Sequence, residues 1–331
     1  MSWWFKVNGS EAESNGVLPR RPFVDLQNRC QEAPCCRQPK QQSVYLPEKE
    51  NVCSIPQNEI NRRNKRESIE NFFTDPILLK EIYCTMKVAE SKSCPLFRRS
   101  ADKISTDMRS CFIDWLIYKA ESFALDTATL HLAVHYADKY FYKEEAGVED
   151  LPLIGSCAIL LACKHEEARD RLPKVNDLIR HASNAFSRRE VFQMEQKMLK
   201  ALDFKMSYPT GYLFLQVFCS LLNIKDEEAF LAQYLCEIAL IFEDVCFYTE
   251  PSKIAAASLI SARYLLGIQP WFDDIVDISG YNIIELIVTS RLLCAKFDKI
   301  MVTEFKRVIA KYSSSKYKNI SEKSYPNTIH I

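Results

Sequence analysis

The stretch IGSCAILLACKHEE, residues 154–167, decides the fold because it joins small and apolar side chains to an abrupt charged end. A helix surrounded by other helices needs small residues, such as Gly155 and Ala158, so that neighbouring backbones can approach closely. A second stretch of this kind, KIAAASLISARYLL, covers residues 253–266. The repetition predicts two successive helical bundles, each built around a central helix.

The composition supports an all-α chain and disfavours several classes of partner. Its 331 residues include seven glycines and carry a formal net charge of zero. Scarce glycine disfavours a protein of sheets and tight turns. Zero net charge gives no electrostatic reason to expect nucleic acid or an anionic membrane as a partner. No apolar stretch is long enough to span a bilayer, and no basic-then-apolar leader opens the chain, so we expect neither membrane insertion nor secretion.

The cysteines predict reduced thiols and no metal centre. The chain has 13 of them, scattered and often within apolar runs, which is typical of buried thiols in an intracellular protein. The group Cys30, Cys35 and Cys36 lacks the paired spacing of a zinc site. His131 and His135 are spaced as a zinc pair would be, but no third ligand is evident. We therefore expect a partly exposed structural histidine pair, no metal and no cofactor.

The chain divides into a tail and a helical body. Half of its 14 prolines lie in the first 76 residues among polar side chains, which predicts a disordered tail over 1–74. The helical period then dominates: a helix near 75–90 and two sets of about five helices, near 106–205 and 209–310. Ser187 and Glu190 form a capping-box pattern that starts one of these helices. The predicted units are therefore 75–207 and 208–310, followed by a polar tail over 311–331.

Several residues within the predicted helices allow two interpretations. Beside a core face, the helix MRSCFIDWL carries a second apolar stripe. Its members are Met108, Cys111, Phe112 and Trp115. Such a helix is either buried on both sides or docks a partner. Arg109 and Asp138, each set among apolar residues, favour a buried structural pair.

Lys164 and Glu195 also allow a structural and a functional interpretation. A lysine at a helix C-terminus suits the helix dipole, and a glutamate on an amphipathic helix can pair with a neighbouring lysine. Alternatively, both side chains lie at one end of the first bundle and offer a donor and an acceptor to another chain.

Five stretches in order carry a resemblance to a known family. MRSCFIDWL, TLHLAVHYADKYF, LIGSCAILLACKHEE, REVFQMEQKMLKALDF and YPTGYLFLQVF are similar to the signatures of mitotic cyclins, nearest to the A type with the B type close behind. The resemblance covers about 75–300. It implies two tandem cyclin boxes of five helices each, the first of which binds and activates a cyclin-dependent kinase during S, G2 and M phases. It also implies a regulatory protein with no catalytic residues of its own.

The resemblance assigns residues to two surfaces. Lys164 and Glu195 fall on the kinase-contact positions, where a charged side chain binds backbone groups of the kinase. The implied apolar surround is Leu161, Leu199, Phe204 and Met206. Met108, Cys111, Phe112 and Trp115, with Leu151, match a docking patch for substrates and inhibitors that carry Arg-x-Leu. Tyr118 stands where the family has an acidic residue, and Cys111 and Phe112 stand where it has isoleucine and leucine.

The tail carries degradation and import signals. Lys49, Glu50 and Asn51 resemble a degron read by the anaphase-promoting complex, and Arg20, Leu26 and Asn28 resemble a degenerate destruction box. The basic cluster is either a nuclear import signal or a solvated charge run. Its residues are Arg62, Arg63, Lys65 and Arg66. Together these signals predict ubiquitin-mediated degradation and residence in both nucleus and cytoplasm.

Two other functions compete with a cyclin. Asp273, Asp274 and Asp277 have the spacing of the aspartates that bind magnesium in all-helical isoprenoid synthases. Those enzymes need a second metal-binding motif far downstream, and the 54 residues after Asp277 supply none. A cyclin-fold transcription factor that binds DNA would share the repeat, but it would want a basic face and would not need Lys164 and Glu195.

Overall fold

The computed structural model describes residues 75–93, 104–269 and 272–325. All regular secondary structure in these ranges is helical, which confirms the predicted all-α fold. We number the α-helices α1 Pro76–Ser93, α2 Thr106–Ser122, α3 Thr127–Lys143, α4 Leu151–Glu166, α5 Val175–His181, α6 Arg188–Ala201, α7 Gly211–Leu221, α8 Asp226–Ile241, α9 Glu243–Cys246, α10 Pro251–Leu265, α11 Phe272–Ser279, α12 Ile283–Val302 and α13 Arg307–Tyr312.

The first bundle consists of α2 to α6 and is built around α4. Every side chain of α4 from Leu151 to Cys163 is buried, because α2, α3 and α6 surround it. Gly155 allows the closest approach. A Cβ atom added there would lie 2.6 Å from the Trp115 ring and 2.8 Å from the Phe112 ring. The small residues therefore do what the sequence predicts, which is to let neighbouring helices pack against the centre.

The second bundle repeats this arrangement around α10. Ala255, Ala256, Ala257 and Ser258 have no exposed surface, and α7, α8 and α12 pack against their helix. Pro251 occupies the first turn of α10, where its missing N–H costs no hydrogen bond. The short helices α9 and α11 complete this bundle.

Helix α1 precedes the first bundle in sequence but packs against the second. Tyr83 lies against Phe214 and Phe218 of α7, with ring centroids 5.8 and 5.5 Å apart. Glu90 accepts hydrogen bonds from the backbone N–H and the hydroxyl of Ser252, both at 2.8 Å. Helix α1 therefore ties the start of the described chain to α10.

The predicted polar tail over 311–331 is wrong for the residues up to 325. Helix α13 and two 3₁₀ turns, Ser315–Tyr317 and Ile320–Glu322, pack on the helical body. Tyr312, Tyr317 and Ile320 are buried. Their sequence context is rich in serine and lysine, and the elements are too short to show a helical period. These three apolar side chains nevertheless help to anchor the segment.

Buried polar contacts join the two bundles. Lys311, at the end of α13, donates a 2.6 Å hydrogen bond to Glu237 of α8, and both side chains are buried. Tyr312 donates to the same Glu237 oxygen at 2.7 Å. On the other side, Ser110 of α2 donates to the Ile241 carbonyl at 2.9 Å. Helix α13 also packs on α2 of the first bundle, so the C-terminal segment helps to fix the second bundle against the first.

Candidate functional site

Lys164 and Glu195 lie together at one edge of the first bundle. Lys164 is in the last turn of α4, and its ammonium group donates a hydrogen bond to the Glu195 carboxylate on α6. The Lys164 side chain is 45% exposed and that of Glu195 is 14% exposed. Because the lysine end of this ion pair is open to water, the pair contributes little to stability. Both groups can therefore be offered to a partner at small cost to the fold.

The two helices that carry this pair are fixed at their ends. Ser187 and Glu190 form a capping box at the start of α6: the Ser187 backbone N–H donates to Glu190 at 2.8 Å, and the Glu190 N–H donates to the Ser187 hydroxyl at 3.3 Å. Glu167, just after α4, accepts bonds from the Asp126 N–H at 2.7 Å and the Thr129 hydroxyl at 2.9 Å. These caps preorganise the edge on which Lys164 and Glu195 lie.

Apolar side chains surround the pair, although not all of the predicted ones reach the surface. Phe204 is 67% exposed, while Leu199 and Met206 are half-buried. Leu161 is buried, so it supports this surface from below. Phe192, which the sequence interpretation missed, is exposed on α6. Its spacing from Glu195 and Leu199 places all three on one face of the helix.

Phe204 is held outward by an unusual backbone conformation. Asp203 and Phe204 have φ angles of 52° and 57°, a left-handed conformation that bulky residues rarely adopt. Two contacts hold the turn: the Phe204 N–H donates to the Leu199 carbonyl at 3.0 Å, and Lys143 pairs with Asp203 at 2.7 Å. An exposed aromatic ring on a held turn is a feature of a docking surface.

The predicted docking patch is mostly core. Phe112, Trp115 and Leu151 are buried, and only Met108 and Cys111 are half-buried. The Phe112 ring stacks on Trp115, with a centroid distance of 6.2 Å. The cause is the close approach of α2 to Gly155, which draws Phe112 and Trp115 into the bundle. At Phe112, Trp115 and Leu151 the structure therefore agrees with the first alternative, a helix that is buried on both sides.

Arg109 and Asp138 form a buried bidentate pair. Arg109 Nε and Nη2 donate to the two Asp138 oxygens at 2.7 and 2.6 Å. Arg109 Nη1 also donates to the Leu240 carbonyl of the second bundle at 2.9 Å. Burial opposes the charged form of Arg109, but the Asp138 carboxylate outweighs that effect and raises the pKa of the guanidinium. The pair therefore stays charged and joins α2, α3 and the end of α8.

The two histidines of α3 stay neutral at physiological pH. Burial lowers the pKa of His131 and of His135 to about 3, and the nearby charges of Lys311 and Lys139 act in the same direction. His135 stacks on Tyr208, with centroids 3.5 Å apart. Within the described ranges, no group of three histidine, cysteine or acidic side chains could hold a metal ion.

The remaining predicted residues lie in different places. Asp273, Asp274 and Asp277 are exposed on α11. The tail signals lie outside the described residues. They comprise Lys49, Glu50, Asn51, Arg20, Leu26, Asn28, Arg62, Arg63, Lys65 and Arg66. Over the described part of the chain, no single helix is both long and apolar enough to cross a membrane, and the pair α11 and α12 that together reach that length is bent by 103°.

Two tandem helical bundles, each around a small-residue helix, with an exposed Lys–Glu pair at the edge of the first, define the class of this protein. The domain family described as "Cyclin, N-terminal domain" matches residues 81–207, and "Cyclin, C-terminal domain" matches residues 209–326. The chain belongs to the cyclin family.

Individual relatives agree with this assignment. The chain is 29% identical over 227 residues to G2/mitotic-specific cyclin-A of Drosophila melanogaster, which covers 69% of this chain and 46% of the relative. It is 32% identical over 275 residues to Cyclin-A1-4 of Oryza sativa subsp. japonica, covering 79% and 76% respectively. The chain spans about half the length of the first curated relatives it matches.

A solved structure shows the same fold. The X-ray structure of a viral cyclin from herpesvirus saimiri superposes with a TM-score of 0.56 at 21% identity, covering 64% of this chain and 94% of that one. At this identity the likeness concerns the fold alone.

Proposed function

We propose that this cyclin-family chain is the regulatory subunit of a cyclin-dependent serine/threonine kinase and that it controls progression through S, G2 and M phases. The observation that carries the proposal is the Lys164–Glu195 pair at the edge of the first bundle, with Phe192 and Leu199 on the same face of α6 as Glu195 and Phe204 exposed just after that helix. A charged donor and acceptor within an apolar surround is the arrangement expected of an interface anchor.

The proposed binding step exchanges one set of partners for another. In the free chain, Lys164 and Glu195 satisfy each other in water, where the pair is weak. Against a kinase, each can bond to backbone groups while Phe204 and Leu199 exclude water, which strengthens the charged hydrogen bonds. The pair therefore contributes more to the complex than to the free fold.

The chain acts on the kinase by favouring one of its conformations. Binding at the mobile helix of the kinase holds that helix inward, so that its glutamate pairs with the lysine that positions the ATP phosphates. A ligand shifts such an equilibrium only by its differential affinity for the two states. The chain thus supplies conformational bias, and the kinase supplies all the catalytic groups.

The direct test of this function is reconstitution. The purified chain is mixed with each candidate cyclin-dependent kinase, and phosphorylation of histone is followed. We expect one or more kinases to gain activity in proportion to bound chain, and the chain alone to show none. Magnesium-dependent turnover of an isoprenoid diphosphate by the chain alone would contradict the proposal.

We propose that substrates with Arg-x-Leu segments dock on a patch smaller than the one predicted from the sequence. Only Met108 and Cys111 of the predicted patch are accessible, and Tyr118 carries no charge to pair with an arginine. We expect Met108→Ala to leave the melting temperature and the phosphorylation of a short peptide unchanged, and to lower phosphorylation of an Arg-x-Leu protein substrate by about two- to fivefold.

A matched control for that prediction is Val302→Ala, since Val302 is an exposed apolar residue outside the patch. We expect the kinase bound to this variant to phosphorylate both substrates at the wild-type rate. If the kinase bound to Met108→Ala also phosphorylates the docked substrate at the wild-type rate, Met108 has no role in docking.

Regulated destruction is the proposed off-switch. A tight complex dissociates slowly, so removal of the chain by the anaphase-promoting complex can end kinase activity. We expect alanine at Lys49, Glu50, Asn51, Arg20 and Leu26 to prolong the half-life of the protein at mitotic exit while kinase activation persists. Degradation on the wild-type schedule, followed by immunoblot in synchronised cells, would show that these motifs are chance matches.

The proposed localisation is both nucleus and cytoplasm. The basic cluster Arg62, Arg63, Lys65 and Arg66 is the candidate import signal. Fluorescent fusions with and without these four basic residues would test its role.

A further inference from the structure

The segment 203–207, here called the Phe204 turn, carries two of the proposed kinase contacts, Phe204 and Met206. It lies between α6 and α7 and is therefore part of the connection between the two bundles. Asp203 and Phe204 both have the left-handed conformation, which adjacent non-glycine residues keep only where surrounding contacts hold them. The place at which Phe204 meets a partner therefore depends on the groups that hold this turn.

Backbone hydrogen bonds hold only the first half of the Phe204 turn. The N–H groups of Phe204 and Lys205 each donate at 3.0 Å to a carbonyl group at the end of α6 or just after it. Met206 and Ser207 form no hydrogen bond from backbone to backbone within the ranges that the structure describes. The second half of the turn therefore depends on side chains from other elements.

Tyr136 of α3 supplies this support. Its hydroxyl donates a hydrogen bond to the Met206 carbonyl, and its side chain has no exposed surface. Burial, and then the charge of Glu166, raise the pKa of the hydroxyl, so Tyr136 stays protonated and remains a donor at physiological pH. Removing the donor would leave the Met206 carbonyl without this partner in a place that the Tyr136 ring partly shields from water.

Two other side chains of α3 contact the connection on either side of the Tyr136 bond. Lys143 forms an ion pair with Asp203 at 2.7 Å, and His135 stacks on Tyr208 with ring centroids 3.5 Å apart. The order of these side chains along α3 is the reverse of the order of their partners, so the connection runs antiparallel along this helix. Helix α3 thus holds the Phe204 turn and the residue after it at three points.

The Tyr136 bond differs from the Lys143–Asp203 pair in its exposure to water. The side chains of that pair are 31% and 56% exposed, and exposed ion pairs contribute little to stability. Tyr136 is buried, and it also lies near Glu166, the last residue of α4. Tyr136 is thus close to both parts of the proposed kinase surface, the Phe204 turn and the end of α4.

We propose that Tyr136 is a positioning residue for kinase binding: its hydroxyl fixes the Met206 carbonyl so that Phe204 and Met206 meet the kinase in one place. The inference rests on the proposed function, because it names the group that arranges two of the proposed kinase contacts. A surface that is fixed in advance binds without the cost of ordering itself. Without the hydroxyl, the turn would populate other conformations, and the apparent affinity would fall with the fraction of chains that remain competent to bind.

The test is a double-mutant cycle, measured by calorimetric titration with a kinase that the wild-type chain binds. Tyr136→Phe removes the hydroxyl and keeps the ring, and we expect it to weaken kinase binding about three- to tenfold. In a chain that already carries Phe204→Ala, the same substitution should weaken binding by about twofold or less, because the ring that the hydroxyl positions is absent. A merely structural role of Tyr136 would weaken binding equally in both backgrounds.

The matched control is Tyr234→Phe in the second bundle. Tyr234 is as buried as Tyr136, but its hydroxyl has no hydrogen-bond partner within the described ranges. We expect this variant to bind the kinase with the affinity of wild type.

Hydrogen exchange in the free chain gives a readout that does not need the kinase. Tyr136→Phe should speed exchange of the Phe204 amide and leave exchange in α10 unchanged. Wild-type affinity or wild-type exchange in Tyr136→Phe, or an equal loss of affinity in both backgrounds, would overturn the proposal. Failure of every kinase to bind the wild-type chain would instead refute the proposed function, and the exchange rates would still decide whether Tyr136 holds the turn.

Discussion

Alanine at Lys164 or at Glu195 is expected to weaken binding of the kinase by about 2 to 4 kcal/mol, a loss of about 30- to 1000-fold in affinity. Truncating either side chain leaves backbone groups of the kinase without their charged partner inside a dry interface. The fold should be little affected, because the Lys164 ammonium group is exposed and an ion pair that water screens on one side contributes little to stability. Calorimetric titration measures the affinity, and thermal unfolding measures the stability.

Two further variants make this prediction specific. Lys197→Ala removes an exposed lysine from α6, the helix that carries Glu195. We expect this variant to bind the kinase with the affinity of wild type. The charge exchange Lys164→Glu with Glu195→Lys retains an ion pair within the chain but reverses the donor and the acceptor presented to the kinase. Binding should stay weak in that variant. Restored binding would show that the pair acts only within the cyclin fold.

Arg109→Ala is expected to lower the free energy of unfolding by about 3 to 5 kcal/mol. The substitution would leave the buried Asp138 carboxylate without its bidentate partner and the Leu240 carbonyl without its donor. Urea unfolding of the purified variant measures the loss. The exposed pair of Lys323 and Glu227 provides the contrast, since Lys323→Ala should cost less than about 1 kcal/mol.

A double substitution at the same pair separates the cost of an unpaired buried charge from the cost of the lost hydrogen bonds to carbonyl groups. Removing both charges, with Arg109→Leu and Asp138→Leu, should recover part of the loss because no buried charge is left unpaired. The Leu240 and Ile241 carbonyls would still lack the Arg109 donor, so the recovery should be incomplete. A single Arg109→Ala variant as stable as wild type would contradict the structural role of the pair.

The central helices of both bundles could be predicted from sequence because their signal is local. Runs of small residues such as Gly155 and Ala256 mark helices that others surround, and the Ser187–Glu190 pattern marks a helix start through hydrogen bonds three residues apart. Neither inference needs a knowledge of tertiary contacts. This explains why the all-α fold with two bundles is confirmed.

The accessible part of the stripe on α2 could not be predicted in the same way. Helical periodicity places Phe112 and Trp115 on a second face but does not say what covers that face. In the structure, Gly155 brings α4 against both rings. The same limit applies to Leu161 and Phe192. Leu161 lies beneath the surface that it was predicted to form, and Phe192 is exposed on a helix whose other apolar residues are buried or half-buried.

The C-terminal segment escaped prediction for a different reason. Its elements span only a few residues each, so no period develops, and its burial depends on long-range partners such as Glu237. The packing of α1 on α7 likewise depends on residues far apart in sequence. Local sequence patterns do not predict contacts of this kind, because the contacts form only in the folded chain.

The measurement that tests the central claim most directly is activation of a cyclin-dependent kinase by the intact chain and by its Lys164→Ala variant, at equal concentrations. Phosphorylation of histone is the readout, and saturation with chain separates affinity from maximal rate. We predict that wild type activates at least one kinase, that Lys164→Ala needs about 30-fold or more chain for half-maximal activation, and that Lys197→Ala behaves as wild type. Failure of wild type to activate any such kinase, or equal activation by wild type and Lys164→Ala, would contradict the account.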